Sequence, residues 1–357
     1  MSDGLEKKKE NNYTKDHDEF CINLKNQFEA LEFEITSNIN ISLPKKGDID
    51  LVCYDSETII YIEVKNGENV EGQFDHFLVK RLDDLEYLKK QSTGFKNLTT
   101  TQVKYLFFAP KCFSKTLDKL NKKKSNQPDT SDIFVLRNLN EFMELSTQVL
   151  PSYAKRELLR TLGVTPPKSD EITVSAIQSK ILGNKALMYQ FTCSAKSLAK
   201  FASVPRRSEN HKNTNNYQRL VKGSRLKEIA SQHISLKKDF VNNVILKLDK
   251  ENITFKSYEA VLKKHITNYI SPNDIKTGSL TIAMNYNSAF IIDGQHRLLS
   301  YLLSENDGLI RVSGLVVDDK IQEARYFVDI NSKASKVSQN LIWDLHGDLS
   351  PESDEGM

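Results

Sequence analysis

Two strand-sized stretches joined by three polar residues are the strongest constraint on the fold of the N-terminal part of the chain. In residues 48–54 two aspartates lead into an apolar run, and residues 58–65 are nearly all apolar until they end in Glu-Val-Lys. Both stretches have the length and composition of β-strands, and Asp55-Ser56-Glu57 between them has the composition of a turn. The pattern favours a pair of strands that begins a sheet.

The chain is long enough for two domains, because 357 residues exceed what one hydrophobic core usually organises. Residues 12–150 predict helices around the strands, residues 151–170 are rich in breaks and are interpreted as a linker, and residues 171–357 begin a new pattern. We expect an α/β (α+β) protein whose second domain is cut short at its C-terminus. Strands are predicted at 48–54, 58–65, 103–109, 132–136, 244–248, 279–286, 289–292 and 311–317, and helices at 15–31, 74–90, 139–149, 194–202, 217–234, 297–304, 321–330 and 337–345.

Composition excludes several classes of protein. No apolar stretch has the length of a bilayer-spanning helix, and the charged N-terminus lacks the apolar core of a secretory signal, so we expect a cytoplasmic protein with no membrane partner. The four cysteines have no paired spacing and are interpreted as reduced core residues. His76, His233, His265 and His346 lack partners at metal-ligand spacing, so a zinc site is not expected.

Asp50, Glu63 and Lys65 form the first candidate site. Because side chains alternate along a strand, Glu63 and Lys65 project from the same side, and a hairpin would bring Asp50 to the same edge. Two carboxylates suit Mg²⁺, and the lysine could orient or deprotonate the water that attacks a phosphodiester. The alternative is an ordinary surface salt bridge.

The run Gly47-Asp48-Ile49-Asp50-Leu51-Val52, followed by Ile62-Glu63-Val64-Lys65, resembles the PD-(D/E)xK restriction-endonuclease-like superfamily. The resemblance covers about residues 15–140 and implies a mixed sheet flanked by helices. It also implies catalytic roles for Asp50, Glu63 and Lys65, with Mg²⁺ or Mn²⁺ held by Asp50 and Glu63. Glu29 or Glu32 of the leading helix would supply an extra acidic group.

The second candidate site is Asp293-Gly294-Gln295-His296-Arg297. An apolar strand leads into the Asp-Gly turn, and a helix follows. The N-terminus of a helix exposes unpaired N–H groups and attracts anions, so His296 and Arg297 there favour a phosphate site. Arg297 is unfavourable beside the helix dipole unless an anion or a carboxylate lies close by. The alternative is a turn with no ligand.

These five residues resemble the motif of the DGQHR-domain family, which includes the DndB-like regulators of DNA phosphorothioation. The similarity runs from about residue 172 to 349 and extends to a distant likeness with ParB and sulfiredoxin-type α+β folds. It implies that a nucleotide, ATP or CTP, or a nucleic-acid phosphate binds at this loop. The residues expected to line that site are Asp293, Gly294, Gln295, His296, Arg297, Gln218, Arg219 and Asn331.

Nucleic-acid affinity must come from local clusters of basic residues, because the net charge is only +3. One cluster spans residues 111–124 and another spans residues 206–227. Either could also be an ordinary solvated surface. The expected DNA contacts in the second cluster are Arg206, Arg207, Lys212, Lys222 and Arg225.

Three functions fit these patterns. The leading hypothesis is a Mg²⁺-dependent DNA endonuclease that works in DNA modification or defence beside other proteins of such a system. A second is a non-catalytic, DndB-like DNA-binding regulator. A third places nucleotide hydrolysis or phosphotransfer at the DGQHR loop.

Overall fold

The structure of the protein is a computed structural model. It describes residues 2–37, 49–65, 69–78, 102–127, 130–165, 170–181, 186–204, 221–238, 240–258 and 275–317. The chain divides into two compact units. Described residues up to 147 together with 151–164 form the first unit, and residues 148–150 with those from 165 onward form the second. The two helices predicted at 321–330 and 337–345, and most of the one predicted at 74–90, lie outside the described residues.

The first unit is a five-stranded mixed sheet in the order β1-β2-β3-β4-β5. The β1–β2 and β2–β3 pairs are antiparallel, and the β3–β4 and β4–β5 pairs are parallel. The predicted strand pair is therefore confirmed as an antiparallel hairpin. In chain order the elements are α1 (Ser2–Ala30), β1 (Glu34–Ser37), β2 (Leu51–Tyr54), β3 (Thr58–Val64), α2 (residues 70–78), β4 (Gln102–Phe108), α3 (Ser114–Ser125), β5 (Ile133–Leu136), α4 (Asn140–Gln148) and α5 (Pro151–Thr161).

Strand β3 is buried along its whole length. On one face of the sheet the rings of Phe74 and Phe77, from α2, pack edge-to-face against Phe107 of β4. Helix α1 contacts β1, β2 and β3 and buries Leu24 and Phe28. Because helices cover this central strand, a charged residue at its end must find partners inside the protein.

Residues 151–161 differ from the sequence interpretation, which assigned them to a linker. They form α5, which buries Tyr153 and Leu158. Pro151 opens the helix at a position where the missing N–H costs nothing, so the proline that suggested a break is a helix start. Glu157 of this helix is almost fully buried, and Arg156 and Arg160 each lie 3.1 Å from one of its oxygens.

The second unit is an eight-stranded mixed sheet in the order β10-β11-β6-β7-β13-β9-β12-β8. The mixed sheets of the two units, with their flanking helices, make the protein α+β, as the sequence predicted. The elements are β6 (Glu171–Ile181), β7 (Ala186–Ser194), α6 (Ala195–Phe201), β8 (Ala202–Ser203), α7 (Gly223–Ile229), a π-helical turn (Ala230–Ile234), β9 (Val244–Leu248), a 3₁₀ turn (Lys250–Asn252), β10 (Ile253–Ser257), β11 (Ile275–Ala283), β12 (Ala289–Asp293), α8 (Gln295–Leu302) and β13 (Leu309–Val317).

Within the described part of the chain, no helix is both long enough and apolar enough to span a lipid bilayer.

We predict that Glu157→Gln destabilises the first unit by about 3 kcal/mol, because two partly buried guanidinium groups lose their buried carboxylate partner. Urea unfolding followed by circular dichroism would measure the loss. The control is Glu144→Gln, since Glu144 is exposed on α4. Equal stability of the two variants would contradict the buried ion-pair account.

Candidate active site and phosphate-binding loop

The structure brings Asp50, Glu63 and Lys65 together at one end of the β2–β3 hairpin. The register of the pair, extended by one residue, places Asp50 opposite Glu63, so both carboxylates lie on the same face. The backbone N–H of Val64 donates a 2.6 Å hydrogen bond to Asp50 Oδ2. The Lys65 Nζ lies 2.8 Å from Glu63 Oε1. The three residues therefore share one site, as the strand alternation predicts.

Glu63 is a buried carboxylate, only 6% exposed. Lys65 lies at one of its oxygens, and the Tyr105 hydroxyl donates to the other over 3.3 Å. A buried carboxylate without partners would be strongly unfavourable, so these contacts offset the cost of burial. They also hold the carboxylate in one orientation.

His17 and Cys21 join this site from α1, and the sequence interpretation missed both. His17 Nε2 lies 3.7 Å from Asp50 Oδ1 and 3.3 Å from the Val64 carbonyl oxygen. His17 Nδ1 lies 3.8 Å from Cys21 Sγ. The two residues are four apart on a helix and so share a face. That spacing was the available sequence signal, but nothing local linked the helix to the hairpin.

Burial makes negative charge on Asp50 and Cys21 unfavourable. Burial raises the pKa of the Asp50 carboxyl, and Glu63 acts in the same direction, while the Val64 N–H, His17 and Lys65 oppose the shift. Burial, with Asp50 and Asp18, raises the pKa of the Cys21 thiol to about 12. A cation placed among these groups would favour their charged forms.

Glu29 and Glu32 do not supply the extra acidic group that the resemblance implied. Glu29 follows His17 by twelve residues of the same helix, which corresponds to about 18 Å of rise. Its carboxylate instead lies 3.8 Å from Lys25 Nζ. Glu32 is exposed beyond the helix in a left-handed conformation, with φ of 62°. The residue that α1 brings to Asp50 is a histidine.

Three of the six lysines in the basic cluster at residues 111–124 pair with acidic residues. Lys111 lies 3.3 Å from Asp16, Lys119 lies 3.1 Å from Glu71, and Lys123 lies 2.8 Å from Asp75. Lys124 donates to the carbonyl of Ile133 instead. The local excess of positive charge is therefore smaller than the sequence suggests.

In the second unit, the DGQHR loop turns sharply between β12 and α8. Gly294 has φ of 96°, a left-handed conformation that favours glycine. A Cβ atom at Gly294 would also meet the Val244 side chain at 2.9 Å. Glycine is thus needed here both for the backbone conformation and for the close approach of β9.

Arg297 holds this loop together from inside. Its guanidinium lies 2.8 Å from Asp293 Oδ2 and donates over 2.6 Å to the Asn242 carbonyl. The carboxylate that an arginine at a helix N-terminus requires is therefore Asp293 of the same motif. These contacts of Arg297 with Asp293 and with the Asn242 carbonyl hold the turn in place.

His296 faces the N-terminal end of α7. Its Nε2 accepts a hydrogen bond of 3.4 Å from the Lys222 backbone N–H, which places the proton of the neutral ring on Nδ1. Burial lowers the pKa of His296, as do the charges of Arg225 and Lys222, while Asp293 opposes them. His296, Lys222 and Arg225 therefore lie near one another, and Arg225 Nη1 also lies 2.9 Å from Glu228 Oε2.

The remaining predicted residues lie outside the described part of the chain. They are Gln218, Arg219 and Asn331 of the expected phosphate site and Arg206, Arg207 and Lys212 of the expected DNA contacts.

Comparison with known proteins bears on the second unit. Residues 176–350 match the model of the DndB family, which is described as DNA-sulfur modification-associated. This range includes the strand–turn–helix of the DGQHR loop, so the C-terminal half carries a DndB-like domain. Searches of curated proteins and of solved structures returned no match for this chain.

We predict that Arg225→Gln raises the pKa of His296, because one of the charges that disfavour the imidazolium is removed. A titration of the His296 ring by nuclear magnetic resonance would measure the change. Lys227→Gln, an equal change of charge at an exposed position of α7, should leave the titration close to that of the unaltered protein. An unchanged pKa in Arg225→Gln would show that the two side chains are not electrostatically coupled.

Proposed function

We propose that the first unit is a Mg²⁺-dependent hydrolase of DNA phosphodiester bonds, joined to a DndB-like domain that directs it in DNA modification or defence. The observation that carries this proposal is the 2.8 Å contact of Lys65 with Glu63, beside Asp50 on the same face of the hairpin. A salt bridge on a solvated surface would not need two carboxylates at one buried strand end.

The donor set fits Mg²⁺ or Mn²⁺. Each carboxylate oxygen has two lone pairs, so the hydrogen bonds to Val64, Lys65 and Tyr105 leave acceptor capacity on Asp50 and Glu63. Hard divalent ions take one or two such carboxylates and complete their shell with water and phosphate oxygens. When bound, the ion would polarise the phosphate and lower the pKa of a bound water.

The chain's own groups would do the positioning. Lys65 has three N–H donors, and one directed at Glu63 leaves others for a water molecule or a non-bridging phosphate oxygen. Since Glu63 is itself fixed by Tyr105, the ammonium is held in place before substrate arrives. The hairpin thus supports a preorganised donor beside two oxygen ligands.

The DndB-like domain would bind a phosphate at the DGQHR loop. The braced turn formed by Asp293, Gly294 and Arg297 presents His296 toward Lys222 and Arg225. Either the backbone of DNA or the phosphates of ATP or CTP would suit this chemistry. Gln295 is the first residue of α8 and would line the phosphate site at the start of that helix. The family description, DNA-sulfur modification-associated, supports an interaction of this protein with proteins of DNA sulfur modification.

We predict that the protein nicks or cuts plasmid DNA with Mg²⁺ or Mn²⁺, and that Lys65→Ala lowers the rate on the order of a hundredfold or more. Gel assays on plain and on phosphorothioate-containing DNA would compare the variants at equal concentration. Lys25→Ala is the matched control, because Lys25 also pairs with a carboxylate but lies on α1 and not on the β2–β3 hairpin. Equal cutting by both variants would contradict the assigned role of Lys65.

A non-catalytic DNA-binding regulator is the second candidate. The family match favours it because residues 176–350 do not include Asp50, Glu63 or Lys65. For such a regulator, DNA binding would weaken steeply as the salt concentration rises, and the protein would not cleave DNA with either Mg²⁺ or Mn²⁺. We predict for this function that Lys222→Gln with Arg225→Gln weakens binding and lowers its salt dependence, as fluorescence anisotropy would measure. Cleavage that requires Lys65 would exclude this candidate.

A further inference from the structure

Three side chains of different chemistry converge beside the carboxylate pair. They are the imidazole of His17, the thiol of Cys21 and the carboxylate of Asp50, whose candidate ligand atoms all lie within 4.8 Å of one another. Two come from α1 and the third from the residue before β2. Two separate elements of the fold thus build the cluster.

Contacts with the backbone of Val64 hold two of these three groups. His17 Nε2 lies 3.3 Å from the Val64 carbonyl, and Nδ1 faces Cys21 Sγ at 3.8 Å. Metal-binding histidines commonly donate the other ring N–H to a backbone carbonyl, which fixes the ring. Asp50 has one oxygen fixed by the Val64 N–H, while the other lies toward His17. Both ligands are therefore held by the same backbone residue of β3.

The donor types select the ion. Mg²⁺ prefers oxygen ligands alone, whereas a thiolate with an imidazole suits a softer ion, above all Zn²⁺. Three protein ligands leave a fourth position of a tetrahedral ion for water, as in catalytic zinc sites. An ordinary core contact of Cys21 would not need a histidine and a carboxylate at its sulfur.

We propose that His17, Cys21 and Asp50 form a zinc site with an open fourth position at the edge of the β2–β3 hairpin. The site depends on its own three ligands and does not rest on DNA cleavage. Asp50 belongs to both this set and the Asp50–Glu63 pair, so an ion at either place would alter the other.

Cobalt titration of the metal-free full chain under reducing conditions tests the proposal. Co²⁺ bound to a thiolate gives an ultraviolet charge-transfer band that oxygen-bound Co²⁺ lacks, and Zn²⁺ should displace it. We predict one equivalent of this signal in the unaltered protein and its loss in Cys21→Ser. Cys112→Ser is the matched control, because Cys112 is a buried free thiol elsewhere in the same unit. It should keep the signal.

Two further variants separate metal binding from folding. Asp50→Asn keeps an acceptor for the Val64 N–H. The single variants Asp50→Asn and His17→Ala should each lower Zn²⁺ affinity by roughly tenfold or more, with unchanged circular dichroism. Absence of the charge-transfer band in the unaltered protein, or its persistence in Cys21→Ser, would overturn the proposal. Lack of DNA cleavage with the band present would count against the proposed function and leave the zinc site supported.

Discussion

The antiparallel pairing of β2 with β3 is the interaction on which the first unit's candidate site depends. Because side chains alternate faces, a shift of the pairing by one residue would move Asp50 to the opposite side from Glu63. The apolar burial of β3 prevents such a shift, since it would carry a fully buried row of side chains out of place. The hydrophobic core therefore fixes the geometry of the carboxylates, and the polar contacts only refine it.

The DGQHR loop follows a different physical logic. A left-handed glycine makes the turn, and an arginine paired with the first residue of the same motif holds it closed. The pairing neutralises Arg297 where the positive end of α8 would oppose it. The positive charge near His296 comes from Lys222 and Arg225, which lie more than 60 residues earlier in the chain. The motif and the positive charge next to it are thus supplied by separate segments.

What the sequence allowed follows from how local each feature is. The hairpin, the Asp50–Glu63–Lys65 group and the strand–turn–helix of the loop depend on residues close in sequence, and the structure brings each together. His17 could not be assigned, because it reaches Asp50 from a helix 33 residues earlier through packing alone. Strand β7 was missed even though Tyr189, Phe191 and Cys193 alternate as buried residues. Helix α5 was taken for a linker because its opening proline resembles a break.

Asp50 is where these arguments meet. It has two oxygens, one held by the Val64 N–H and one directed toward His17, and it lies on the face of Glu63. Burial raises the pKa of the Asp50 carboxyl, and the neighbouring Glu63 carboxylate acts in the same direction. At the proposed metal site, a divalent cation would offset the charge of Asp50 and Glu63 at once, which a proton on Asp50 does not. The oxygen ligands of Asp50 and Glu63 would favour Mg²⁺, whereas Asp50 with the nitrogen of His17 and the sulfur of Cys21 would favour Zn²⁺. The second ligand partner of Asp50 would therefore decide which metal binds.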